Sequence, residues 1–141
     1  MRDRTFLDTN VLVYALDDSE PAKRDLARAV LGSGEYGELV LSTQVLSELY
    51  VIVTRKLAQP LSGEKAAEAI ELLGLNPTVP IDYALVRSAI TTSCSAGLSY
   101  WDGMIVAAAA RAGCGRLLSE DLDDGQQIGS VRVENPFRAT L

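Results

Sequence analysis

The chain has 141 residues, the length of one domain built around one core. Its composition, 48% hydrophobic and 23% charged, is globular and excludes a disordered or fibrous chain. A net charge of −6 argues against a broad basic face for nucleic acid. The lack of any histidine excludes a Ser-His-Asp triad, an imidazole zinc site and a histidine general base.

Residues 5–8 read as a short strand that ends on Asp8, and residues 10–16 as one or two helical turns. Pro21 suits the first position of a helix over 21–32, where its missing N–H costs nothing, with Leu26, Val30 and Leu31 on one side. Residues 38–42 form an apolar run fit for a buried parallel strand. Ser42 or Thr43 then caps a helix over 44–57 with Val45, Leu49, Ile52 and Val53 at helical spacing. A further helix over 62–73 stops at Gly74. Residues 78–81 are a weaker strand, which Pro80 assigns to a sheet edge. Asp82 caps the next helix, which ends near Gly97; Ser99 opens another that runs through Ala112. Residues 116–119 and 131–133 complete the strands. Short strands alternating with helices predict an α/β fold with a central parallel sheet of four to five short strands, flanked by helices on both faces.

No linker or repeat divides the chain, so residues 1–141 are expected to form a single domain. Cys94 and Cys114 lie among small or apolar residues and read as buried free thiols of a reducing cytoplasm. Neither a secretory signal nor a membrane span is expected, since the longest charge-poor stretch (88–110) carries Asp102 and Gly97.

In open α/β sheets, ligands bind beyond the carboxyl ends of the strands. Asp8 follows the first strand there, and Asp121 follows the strand over 116–119. Glu48 has Val45, Val51 and Ile52 at helical offsets and so lies on an apolar stripe. Asp102, with Ile105, Val106 and Ala109 on its face, points toward the core. Singly, each acid has an ordinary reading: Asp8, Asp102 and Asp121 as helix N-caps, Glu48 as an arginine's partner. Together they suggest a convergence of like charge, which must shift pKa values or bind a cation. Oxygen ligands without histidine or thiolate suit Mg²⁺ or Mn²⁺.

The runs Leu7-Asp8-Thr9-Asn10-Val11-Leu12, Ser42-Thr43-Gln44-Val45-Leu46-Ser47-Glu48-Leu49, Tyr100-Trp101-Asp102 and Leu118-Ser119-Glu120-Asp121-Leu122 resemble those of the PIN domain family, and most of all its VapC-type toxins. The resemblance spans residues 5–136. It implies a PIN-like (Rossmann-like) sheet and a Mg²⁺-dependent endoribonuclease acting on single-stranded RNA. Asp8, Glu48, Asp102 and Asp121 would be the catalytic, metal-binding carboxylates, and Asn10 and Ser119 polar supports. It also implies a homodimer and a small VapB-like antitoxin that holds the toxin inactive. The last motif is unusually acidic, and Asp124 rivals Asp121 as fourth ligand.

Tyr100 and Trp101 are expected to fill the core beside a helix start, in preference to stacking on a base. Lys23, Arg24 and Arg28 are read as a solvated charged face. A haloacid-dehalogenase-type phosphatase needs a carboxylate where Asn10 stands and a lysine beyond Lys65, and a phospho-receiver domain needs the same lysine. The alternatives left open are a catalytically weak PIN module in an RNA-processing complex and a solitary PIN nuclease without an antitoxin.

Overall fold

The computed structural model describes residues 3–138. Twelve elements follow in chain order: β1 (Arg4–Leu7), α1 (Thr9–Ala15), α2 (Pro21–Gly32), β2 (Glu38–Ser42), α3 (Thr43–Arg55), α4 (Gly63–Leu73), β3 (Thr78–Val79), α5 (Tyr83–Ala96), α6 (Tyr100–Arg111), β4 (Arg116–Leu118), β5 (Gln127–Ile128) and β6 (Val131–Glu134). The strands form one sheet in the order β3-β2-β1-β4-β6-β5, parallel except for the β5–β6 pair. Phe6 is central to the register, opposite Val40 on β2 and Leu117 on β4, and Leu117 in turn faces Val133 on β6. All four side chains are fully buried.

The helices start where short polar side chains satisfy free N–H groups. Ser42, Ser62, Asp82 and Ser99 accept from the backbone of Val45, Lys65, Leu85 and Asp102, respectively. Pro21 occupies the first turn of α2, and Gly97 closes α5 in the left-handed conformation, at φ 68°.

Parallel strands of one sheet are joined by right-handed crossovers. The steps from β1 to β2 and from β2 to β3 run in one direction, so α1–α4 cover one face. The return from β3 to β4, on the far side of β1, puts α5 and α6 on the other. The packing agrees: α1 lies against α2 and α3, α3 against α4, and α5 against α6. The α5–α6 contact is close enough that a Cβ on Gly103 would sit 2.8 Å from the Ala89 carbonyl oxygen and 2.9 Å from the Ser93 Cβ. Every residue from Gly103 through Ala109 is buried, so the alanine-rich α6 is an interior helix.

The sheet has six strands where four to five were expected. The extra strand, β5, is two residues long and pairs with β6 across a tight turn at Gly129. β3 is an edge strand that stops before Pro80, in keeping with that residue's missing donor. Two burial expectations are corrected. Cys94 is exposed, because the buried face of α5 runs through Leu85 and Ala89 and leaves position 94 outside it; Cys114 is buried. Trp101 is 59% exposed, while its neighbour Tyr100 packs against the core. Among the described residues, no helix is long and apolar enough to cross a membrane.

Candidate active site

The strand order reverses between β1 and β4, the switch point beyond whose carboxyl edge an open α/β sheet binds its ligands. Asp8 emerges there from β1. Its backbone N–H continues the ladder to the Leu118 carbonyl at 3.0 Å. Its Oδ1 accepts from the Thr9 N–H at 2.7 Å and its Oδ2 from the Ser119 hydroxyl at 2.7 Å. Both carboxylate oxygens are thus held, one by the start of α1 and one by the end of β4.

Asp8 is only 5% exposed. Burial pushes its pKa up to about 6 from 3.8; the bonds from Ser119 and Thr9 oppose the rise, and the charges of Asp121 and Asp102 add to it. The N-cap reading of Asp8 therefore holds, but a cap alone does not explain a carboxylate buried at this cost.

A pocket of about 250 Å³ opens over Asp8 and is lined also by Asn10, Glu48, Asp102 and Asp121. These acids arrive on separate elements: the β1 end, α3, α6 and the loop after β4. Asp102 lies in the first turn of α6, where its N–H donates to Ser99 Oγ at 3.1 Å; Ser99 is the cap, and the carboxylate is left for the pocket. Glu48 is half-buried on α3. Desolvation raises its pKa, a side-chain bond from Gln44 opposes this, and the charges of Asp102 and Asp121 add to the rise. Asp121 is held from two sides: Asn10 Nδ2 donates to its Oδ2 at 3.1 Å, and its own N–H donates to Ser119 Oγ at 3.1 Å. Ser119, fully buried, thus ties Asp8 to the loop that carries Asp121. Asn10 and Ser119 both act as supports of the acids.

The other acids of the last motif face elsewhere. Asp124 accepts from the Asn135 N–H at 2.8 Å and from Arg138 Nη1 at 2.5 Å, which hold its pKa below the usual range; it does not line the pocket. Glu120 bonds to the Tyr14 hydroxyl and pairs with Lys23 at 3.1 Å. Lys23 also lies 4.7 Å from the Tyr14 ring centre, which corrects its assignment to a solvated face. Arg24 is taken up by Asp18 at 2.9 Å, and Arg28 by the Ala15 carbonyl.

Four carboxylates thus share a pocket whose lining includes no lysine or arginine among the described residues. Repulsion among them is relieved by a raised pKa, as at Asp8, or by a bound cation. The donors are all oxygen, and a further buried oxygen of the lining, Thr9 Oγ1, has no hydrogen-bond partner. This chemistry fits Mg²⁺ or Mn²⁺. Among the described residues no three acidic, cysteine or histidine side chains lie close enough together to hold a metal ion as they stand. Thr9 and Gln44 escaped the sequence reading, although Gln44, one helical turn before Glu48, shares its face; Trp101, expected in the core, stands instead at the rim.

Fold and site together define an α/β protein with an acidic pocket at its sheet's switch point. The chain belongs to the PIN domain family, whose model matches residues 5–126. The fold is similar to that of a toxin–antitoxin complex from Klebsiella pneumoniae (17% identity, 90% of this chain and 94% of that chain, TM-score 0.67). It is also similar to FitAcB from Neisseria gonorrhoeae (24% identity, 95% and 99%, TM-score 0.61). A third similar fold is VapC20 from Mycobacterium tuberculosis, described as a sarcin-ricin loop cleaving toxin (20% identity, 91% and 98%, TM-score 0.61). No curated protein matches the sequence significantly.

Proposed function

We propose that this chain is a Mg²⁺- or Mn²⁺-dependent endoribonuclease that cleaves single-stranded RNA, and that it is the toxin of a VapBC-type pair. The observation that carries the reading is the pocket: four carboxylates from four elements, with no cationic side chain in the lining. Asp8, Glu48, Asp102 and Asp121 would hold the metal. A divalent ion bound there supplies an acidified water and neutralises charge on a phosphodiester.

The chain's own part is positioning. Ser119 and Thr9 fix both oxygens of Asp8, so that carboxylate needs no reordering on binding. Asn10 and Ser119 hold Asp121 at the same pocket. Gln44 steadies Glu48, whose half-buried carboxylate meets the same pocket from α3. Asp124, engaged with Arg138, is left out of the ligand set.

The toxin reading draws support from the fold shared with the toxin–antitoxin complex and with VapC20. An acidic pocket is complementary to a basic segment, the chemistry we assign to a small antitoxin. A homodimer belongs to the same reading. Free thiols at Cys94 and Cys114 accord with action in the cytoplasm.

The test is cleavage of unstructured RNA by the purified chain with Mg²⁺ or Mn²⁺. Cleavage is expected to disappear in excess EDTA and in Asp8→Asn or Asp102→Asn; full activity in any of these overturns the reading. Growth arrest on expression, relieved by the product of an adjacent small reading frame, supports the toxin assignment. Harmless expression favours a binding module or a solitary nuclease.

A further inference from the structure

A second pocket, about 350 Å³, adjoins the acidic one and shares Gln44, Glu48 and Trp101 with it; Ser47 and Ile81 complete its walls. Trp101 is exposed although α6 is buried from Gly103 through Ala109, and its ring meets Tyr100 edge-on with centroids 5.0 Å apart. Tyr100 packs against the core, so the edge contact braces the indole at the rim. Across the opening, Ile81 is seated by its N–H, which donates to Thr43 Oγ1 at 3.1 Å. Gln44 is the most deeply buried polar side chain of the lining. It is only 5% exposed, and its Nε2 donates to the Trp101 carbonyl at 3.3 Å, while its Oε1 has no partner.

A buried amide oxygen without a donor is costly, and the cost is relieved when a ligand brings an N–H. An exposed aromatic face beside it accepts a flat π-system. Nucleobases offer both: a ring that stacks and an imino or amino N–H at its edge. From this geometry we infer that the Trp101 pocket is a nucleobase subsite for a residue of the RNA next to the phosphate in the acidic pocket. The base stacks on Trp101, against Ile81, and donates an N–H to Gln44 Oε1 as that buried amide turns toward the opening. Continuity with the acidic pocket, through Glu48 and Gln44, is what assigns the occupant to the same strand. The inference rests on the RNA reading above, extending it from phosphate chemistry to base recognition.

Trp101 is the chain's single tryptophan, so its fluorescence reports on this pocket alone. Short unstructured oligoribonucleotides, titrated with Ca²⁺ in place of Mg²⁺, are expected to quench it saturably. A backbone of the same length made only of abasic residues is expected to leave it unchanged. By anisotropy of a labelled oligonucleotide, Trp101→Ala weakens binding on the order of 5- to 100-fold, and Trp101→Phe restores most of it. Equal quenching by the abasic backbone, or unchanged affinity in Trp101→Ala, overturns the subsite. So does loss of self-association in Trp101→Ala with RNA affinity intact, which assigns the indole to a protein contact. Parallel gels with Mg²⁺ read cleavage separately. Base-dependent quenching without cleavage sinks the nuclease reading and leaves the subsite; cleavage with no response at Trp101 does the reverse.

Discussion

Replacing Asp8 by asparagine separates the fold's interest in this side chain from the site's. Asp8 is nearly buried, and burial holds its pKa at about 6 against an ordinary 3.8. A carboxyl raised in the folded state contributes stability that is fully present below the unfolded value. That stability is lost as pH rises through the folded one. The interval, about 6 − 3.8 = 2.2, corresponds to about 3 kcal/mol at about 1.36 kcal/mol for each pKa unit.

An asparagine keeps the geometry, since its oxygen accepts from Thr9 and its amide donates to Ser119 Oγ, but it carries no charge to bury. In EDTA, urea unfolding near pH ~7.5 should therefore show Asp8→Asn more stable than the parent by about 1 to 3 kcal/mol, with the gap closing toward pH ~4. Saturating Mg²⁺ should invert the order. The parent gains about 4.1 kcal/mol at ~1,000 times its dissociation constant, more than the gap, and the variant gains little. A variant destabilised equally at both pH values, or stabilised by Mg²⁺ as much as the parent, would refute the reasoning.

Three further outcomes follow from the same contacts. Asp102→Asn should lower metal-supported RNA cleavage on the order of 100-fold, whereas Asp124→Asn should leave it within about 2-fold; equal losses would reinstate Asp124 as a ligand. Ser119→Ala removes the hydroxyl that bridges Asp8 and the Asp121 backbone. It should cost about 1 to 3 kcal/mol in urea unfolding and lower cleavage on the order of 10-fold. Gly103→Ala forces a methyl into the α5–α6 contact and should destabilise by about 1 to 3 kcal/mol, read as a lower unfolding midpoint.

Local chemistry made most of the fold legible. Ser42, Asp82, Ser99 and Pro21 mark helix starts through bonds or dihedrals that they make on their own, so reading them needs no tertiary knowledge. β5 was not legible, because a two-residue strand has no periodicity and exists only by pairing with β6. Pocket membership divides in the same way. Asp8, Glu48 and Asp102 could be placed near one sheet edge from their own elements. Asp121 and Asp124 share one acidic loop and differ only in distant partners: Asn10 draws the first to the pocket, Arg138 draws the second away. Trp101 misled for a related reason. An aromatic pair at a helix start ordinarily packs inward, and here only Tyr100 does, leaving the indole at the rim.

The central claim is that Asp8, Glu48, Asp102 and Asp121 form a divalent metal site. Anomalous diffraction from a crystal soaked in Mn²⁺ tests it most directly. The account predicts a manganese peak in the acidic pocket, bound by Asp8 and at least one of the other three and missing from Asp8→Asn crystals. A pocket without manganese, or a peak held by Asp124 instead, would contradict it.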